Sequence, residues 1–136
     1  MTRVLNCIIC FIFLMLTGCA TRPGLSEELD RSVKAYNQML RWHEMENAVL
    51  TYVDSNLREE CLKQAEALKK RGLSVTDFRI LSKKYIPDNK TGDVVAEFDY
   101  YILPSNRIIT ISNRQEWLYE ESSRSWKVKS GLPAFE

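Results

Sequence analysis

Helical periodicity in the first half of the chain and strict alternation in the second predict an α+β fold, with N-terminal helices packed on a curved antiparallel sheet. Apolar residues recur at helical spacing from Leu29 to Leu68. The period then drops to two after Gly72, and turn-forming clusters cut the alternating region into sequentially adjacent strands.

Ser26 reads as an N-cap, with Glu27 and Glu28 in the first turn and Leu29, Val33, Tyr36 and Leu40 on one face, so a first helix is expected to about Trp42. Met45, Ala48, Val49 and Tyr52 form a second apolar face over Glu44 to Tyr52, which could run on from the first. Asp54-Ser55-Asn56 breaks the pattern. Leu57, Cys61, Ala65 and Leu68, with Leu62 beside them, make the stripe of a third helix that Gly72 ends. Val75 to Ile86 then reads as a strand with Phe78, Ile80, Ser82 and Ile86 on one face, followed by a turn over Pro87 to Asp93. Val94, Ala96, Phe98, Tyr100 and Ile102 alternate with polar positions in a half-buried second strand. After Pro104-Ser105-Asn106, a long third strand from Arg107 to about Glu120 carries Ile109, Ile111, Asn113, Gln115, Trp117 and Tyr119 on one parity. Polar residues on that apolar face suggest strong curvature or a bulge. Ser122-Ser123-Arg124 turns into a last strand with Trp126, Val128 and Ser130 before Leu132-Pro133.

Ahead of these elements, residues 1–18 have the parts of a secretory signal: Arg3, an apolar run from Cys7 to Leu16, and the small pair Thr17-Gly18. Leu16-Thr17-Gly18-Cys19 resembles the lipobox of bacterial lipoproteins. The resemblance implies cleavage between Gly18 and Cys19, a diacylglyceryl group on the Cys19 thiol and a palmitate-type acyl chain on its new amino group. Two or more acyl chains give stable anchoring where one does not. Ala20 is not the Asp that, in such lipoproteins, favours the inner membrane, so the implied address is the outer membrane, facing the periplasm. Residues 19–25 then form a short tether containing Pro23-Gly24, which keeps a domain spanning 26–136 close to the bilayer.

Lys and Arg number 19 and Asp and Glu 18, and Arg3 is the only charge before Cys19, so the processed chain is neutral. Neutrality argues against a nucleic-acid partner. Lys69-Lys70-Arg71 falls where a helix should end, and cations there complement the helix dipole. Processing with lipid on the Cys19 thiol leaves Cys61 without an intramolecular disulfide partner, and its place on a helical stripe points to a buried core thiol. With a single His and no ligand spacing, neither a metal nor a cofactor is expected.

Tyr36-Asn37-Gln38-Met39-Leu40-Arg41-Trp42, Tyr52-Val53-Asp54, and the pair Trp117 and Trp126 ahead of Leu132-Pro133 resemble small bacterial lipoproteins with a nuclear transport factor two-like, or SnoaL-like, domain. The resemblance implies helices in the concave face of a bent sheet, forming a cone that often holds a pocket. Many members place a short strand between the second and third helices, for which residues 53–57 leave little room. Enzymes of this type, the ketosteroid isomerase and SnoaL-like cyclase groups, use an Asp or a His–Asp pair with Tyr or Asp donors, which directs attention to His43, Asp99, Tyr100 and Tyr101. Asp99 alternates with Phe98 and Tyr100 and is expected to face solvent, and His43 sits at a helix junction. Asn113 and Gln115, if they face the cone, would be polar groups in an apolar cavity with Tyr100 and Trp117 beside them. Trp42, Trp117 and Trp126 read as core or rim aromatics. No nucleophile–base pair or phosphate loop appears in the sequence. The expected function is a non-enzymatic envelope lipoprotein whose domain binds another protein; the alternatives are a small apolar ligand in the cone and, last, an isomerase-like or dehydratase-like enzyme.

Overall fold

A computed structural model describes Met1 and residues 23–136 of the chain. The signal segment, Gly18 and Cys19 lie outside these residues. Helices α1 (Leu25–Arg41), α2 (Met45–Tyr52) and α3 (Arg58–Lys70) precede strands β1 (Leu73–Ile86), β2 (Thr91–Ile102), β3 (Ile109–Glu120) and β4 (Ser125–Val128). The strands form an antiparallel meander in the order β1-β2-β3-β4, and the helices cover one face of it. Among the described residues no helix is long and apolar enough to cross a membrane.

Helix α1 starts one residue before the expected cap. Gly24 is the N-cap, its carbonyl accepts the Glu28 N–H at 3.0 Å, and Ser26 falls inside the first turn. Leu29, Val33, Tyr36, Asn37 and Leu40 form the buried stripe. The first two helices are separate, because His43 takes a left-handed conformation (φ 63°) that cannot continue a helix. The corner is closed by the Glu44 N–H donating to the Met39 carbonyl at 2.9 Å. Helix α2 buries Met45, Ala48 and Val49, and α3 buries Cys61, Ala65 and Leu68. Gly72 ends α3 with φ 78°, and a Cβ there would lie 2.9 Å from that of Leu103, so both backbone and space select glycine.

Strand β2 sets the two faces of the sheet. Gly92, Val94, Ala96, Phe98 and Tyr100 are buried against the helices, whereas Asp93, Val95, Glu97, Asp99 and Tyr101 are half-buried on the opposite side. Strand β3 pairs with β2 in unbroken register from Leu118 to Ile109, which keeps Asn113, Gln115 and Trp117 on the helix side. Of the curvature or bulge expected in β3, the bulge is therefore not there. The irregularities sit in β1 instead, at Thr76 and Leu81, each an extra residue against β2. A bulge flips every later side chain to the other face. Phe78 and Ile80 thus share the inner side, opposite Phe98 and Ala96, but Ser82 and Ile86 turn outward and Lys83 and Tyr85 turn inward. This corrects the single face expected for Phe78, Ile80, Ser82 and Ile86. Lys83 then reaches across to pair with Asp30 of α1.

Two aromatic groups fill the space under α1. Trp117 meets Tyr36 at 5.6 Å and Tyr52 at 6.0 Å, both edge to face. Trp126 meets Tyr119 at 5.5 Å and Tyr85 at 6.0 Å, and its indole N–H donates to the Leu25 carbonyl at 3.1 Å. The C-terminal residues close the other end. Phe135 packs 5.7 Å from Phe98 and 5.0 Å from Tyr100. Between α2 and α3, Val53 makes one parallel bridge to Val128, and the Asp54 N–H donates to the Val128 carbonyl at 3.0 Å.

The buried side chain of Leu29 from α1 sits against Gly92 of β2, where an added Cβ would stand 2.6 Å from Leu29 Cδ2 and 3.2 Å from its Cδ1. Gly92→Ala is expected to lower stability by about 1–3 kcal/mol, as overpacked cores do. Pairing it with Leu29→Ala should cost less than the sum of the two single changes in urea unfolding; strict additivity would place the strain elsewhere.

Candidate functional site

The polar residues expected to line a cavity lie in packed interior. Gln115 and Asn37 are fully buried and face one another in a reciprocal amide pair. Gln115 Nε2 donates to Asn37 Oδ1 at 2.7 Å, and Asn37 Nδ2 donates to Gln115 Oε1 at 3.2 Å and to the Val33 carbonyl at 2.8 Å. The Trp117 indole N–H donates to the same Gln115 oxygen at 3.3 Å. Every polar atom of the two side chains has at least one partner within this group, so the pair is satisfied without a ligand. Tyr100 is buried as well, and its hydroxyl donates to the Glu136 carbonyl at 2.9 Å. Asn113 is the exception: its Oδ1 is buried without a partner among the described residues.

Asn37 is the member that sequence reasoning passed over. It lies four residues after Val33 and three before Leu40, inside the apolar stripe of α1, and a polar residue there must find a partner from the sheet. Tyr36 is fully buried, its hydroxyl has no partner among the described residues, and burial pushes the phenol far above its ordinary range. Cys61 is buried, as expected, and burial also raises its thiol.

The residues singled out by their chemistry are dispersed. His43 is exposed at the α1–α2 corner, on the rim of a cleft of about 190 Å³ whose floor is Leu40, Met45, Ala65, Leu68 and Val75. Glu44, Glu46 and Lys69 border the same cleft. Asp99 lies on the opposite face of the sheet, so His43 and Asp99 are not brought together. Tyr101 shares the outward parity of Asp99. Trp42 is 60% exposed beside the Arg41 guanidinium, which stands 5.0 Å from its ring centre, while Trp117 and Trp126 are core. Lys69, Lys70 and Arg71 are exposed at the end of α3, where Lys70 pairs with Glu66 and Lys69 with Glu46. Among the described residues no three His, Cys, Asp or Glu side chains are grouped to hold a metal ion.

The outer face of the sheet carries an ion-pair network centred on Arg79. Its guanidinium donates to both carboxylate oxygens of Asp99, at 2.8 and 3.1 Å, and to Glu97 at 2.6 and 3.0 Å. Thr110 Oγ1 adds a 2.6 Å bond to Asp99. Arg114 makes a two-pronged pair with Asp93 at 2.8 and 2.9 Å. Arg79, together with Thr110, holds the Asp99 carboxyl down to about 2. A carboxylate held that low is a poor proton acceptor at neutral pH.

Fold and site together define an α+β scaffold with a filled interior and a charged, open sheet face. No protein-family model matches the chain, and no curated protein matches it. Among solved structures, the chain is similar to the crystal structure of the intermembrane space region of chloroplast protein ARC6, with TM-score 0.54 and 15% identity over 82% of this chain and 96% of that one. At that identity the likeness shows the helices-on-antiparallel-sheet fold alone.

Two measurements probe these clusters. Gln115→Leu strands the Asn37 amide and the Trp117 N–H and should cost about 1–3 kcal/mol, whereas adding Asn37→Leu should cost less than the two singles combined. The Asp99 carboxyl sits below its unfolded value, so its contribution is fully present above about pH 4 and is lost as pH falls toward 2. The stability gap between wild type and Asp99→Asn should be flat from pH 5 to 7 and shrink from pH 4 to 2. A gap unchanged down to pH 2 would mean that Arg79 does not hold the carboxyl.

Proposed function

We propose that this chain is a lipid-anchored envelope protein whose periplasmic domain is a non-enzymatic interaction module, an accessory subunit of a membrane-associated assembly. The anchor is Cys19, with Gly18 and Cys19 flanking the cleavage point, and the membrane is the outer one. The observation that carries the interaction reading is the filled interior. Trp117, Tyr36, Gln115 and Leu29 occupy the space between α1 and the sheet, and their polar atoms, the Tyr36 hydroxyl excepted, are bonded to one another or to α1. What such a domain presents to other molecules is its surface.

The finer fold we propose is nuclear transport factor two-like. Its support is the helix–helix–helix–meander order together with the Val53–Val128 bridge, a one-residue strand contact where that family places a short strand. A filled cone also weighs against the small-ligand reading, which needs open volume beside Asn113 and Gln115.

Replacing Cys19 by Ser should abolish labelling by an alkyne-tagged fatty acid and leave an unprocessed precursor; normal processing of the variant would sink the lipoprotein assignment. Crosslinking in intact envelopes should return the same protein in independent preparations. Repeated failure to find one would count against the accessory-subunit reading without touching the anchor.

A further inference from the structure

The two edges of the sheet are built differently. Strand β1 is interrupted by the bulges at Thr76 and Leu81 and carries Lys84 on its outer side. Bulges and lysines are the usual means of keeping an edge from pairing with another chain. Strand β3 has none of them along residues 109–115: its register against β2 is continuous, and β4 covers only Trp117–Glu120. The hydrogen bonds around Glu116 reveal which backbone groups face the opening. The Lys129 N–H donates to the Glu116 carbonyl at 2.7 Å, and the Glu116 N–H donates to Ser130 Oγ at 3.1 Å, so residue 116 points its backbone away from β2. The Tyr119 N–H points the other way, to the Lys90 carbonyl. Alternation along a regular strand then aims the N–H and C=O of Thr110, Ser112 and Arg114 at the open edge. Among the described residues nothing pairs with them.

We infer that this edge pairs antiparallel with the same edge of a second copy of the chain, about a two-fold axis at Ser112, joining two four-stranded sheets into one of eight. The register follows from the opening. Pairing Ser112 with Ser112, and Thr110 with Arg114, uses residues 109–115 of both copies and stops where Lys129 and Ser130 occupy the position beside Glu116. It also keeps the faces matched, because Ile111 meets Asn113 and Ile109 meets Gln115 on the helix side. The charges fit as well. Each Arg114 already holds Asp93 of its own sheet and lies opposite a neutral Thr110, with the two Arg114 positions about 13 Å apart along the strands. Ile109, 41% exposed, lies within the paired stretch. Seven residues a side is a small interface, so the association is a weak, reversible one. It stands independently of the lipid anchor and of any other protein partner.

The lipidated protein in detergent should sediment with a concentration-dependent protein mass rising from the single-chain value toward twice that value. Ser112→Pro removes an N–H that serves no bond within its own sheet, so it should leave the unfolding midpoint in place and hold the protein at the single-chain mass. Ser112→Cys should form a copy-to-copy crosslink with a short bis-maleimide, at least tenfold above both the unsubstituted chain and Lys84→Cys on the protected edge. Ser112→Pro that still dimerises, a Ser112→Cys chain that does not crosslink, or one that crosslinks only to a different protein would each overturn the inference.

Discussion

Contact between α1 and the centre of the sheet is the constraint on which the rest of this structure depends. Gly92 leaves the space that the methyl groups of Leu29 fill above β2. With the helix held so close, Asn37 comes within hydrogen-bond reach of Gln115, and Tyr36 wedges against Trp117. The interior is thereby filled from the sheet upward. A cone able to hold a ligand would require α1 to stand off from β2, which would unmake the amide pair and expose the aromatic group at once.

The buried amide pair carries more than its own energy. The apolar stripe sets the register of α1 through shape, with Leu29 at Gly92 and Tyr36 against Trp117, and the amide pair adds a polar constraint to it. Asn37 and Gln115 satisfy each other in one register only, and any shift leaves two buried amides unpaired. The ion pairs of Arg79 and Arg114 act similarly on the outer face. Exposed pairs add little stability, but they match charge across β1, β2 and β3 and favour one alignment of the strands.

How much of this was legible in the sequence differs by element. The alternation of β2 and the stripes of α1 and α3 are direct readouts of burial, and they appear where the sequence indicates. The shared parity of Asn113, Gln115 and Trp117 was legible, but the side they face was not: a bulge in β3 would have turned the two polar residues outward, and the bulges lie in β1 instead. Thr76 and Leu81 give no sign of them, because a bulge is a backbone event that needs neither glycine nor proline, and its effect on parity appears only once the partner strand is known. His43 breaks the helices by conformation rather than by composition. His43, Asp99 and Tyr100 were noted for their chemistry and occupy a corner, an outer face and a core; the alternation of β2 and the helix junction already set them apart in the sequence.

The last strand has a place in the order of assembly. Trp126 bonds to the first residue of α1, Val128 is clasped by Val53 and Asp54, and Phe135 and Glu136 close over Tyr100. Each of these contacts joins the final dozen residues to chain made long before them. Leu29 on Gly92 and Asp30 with Lys83 seat α1 on the earlier strands, and the contacts of residues 125–136 then close the longest loops in the domain. Contacts between positions so far apart in sequence are the slow ones to form, because the loop must close before the contact rewards it.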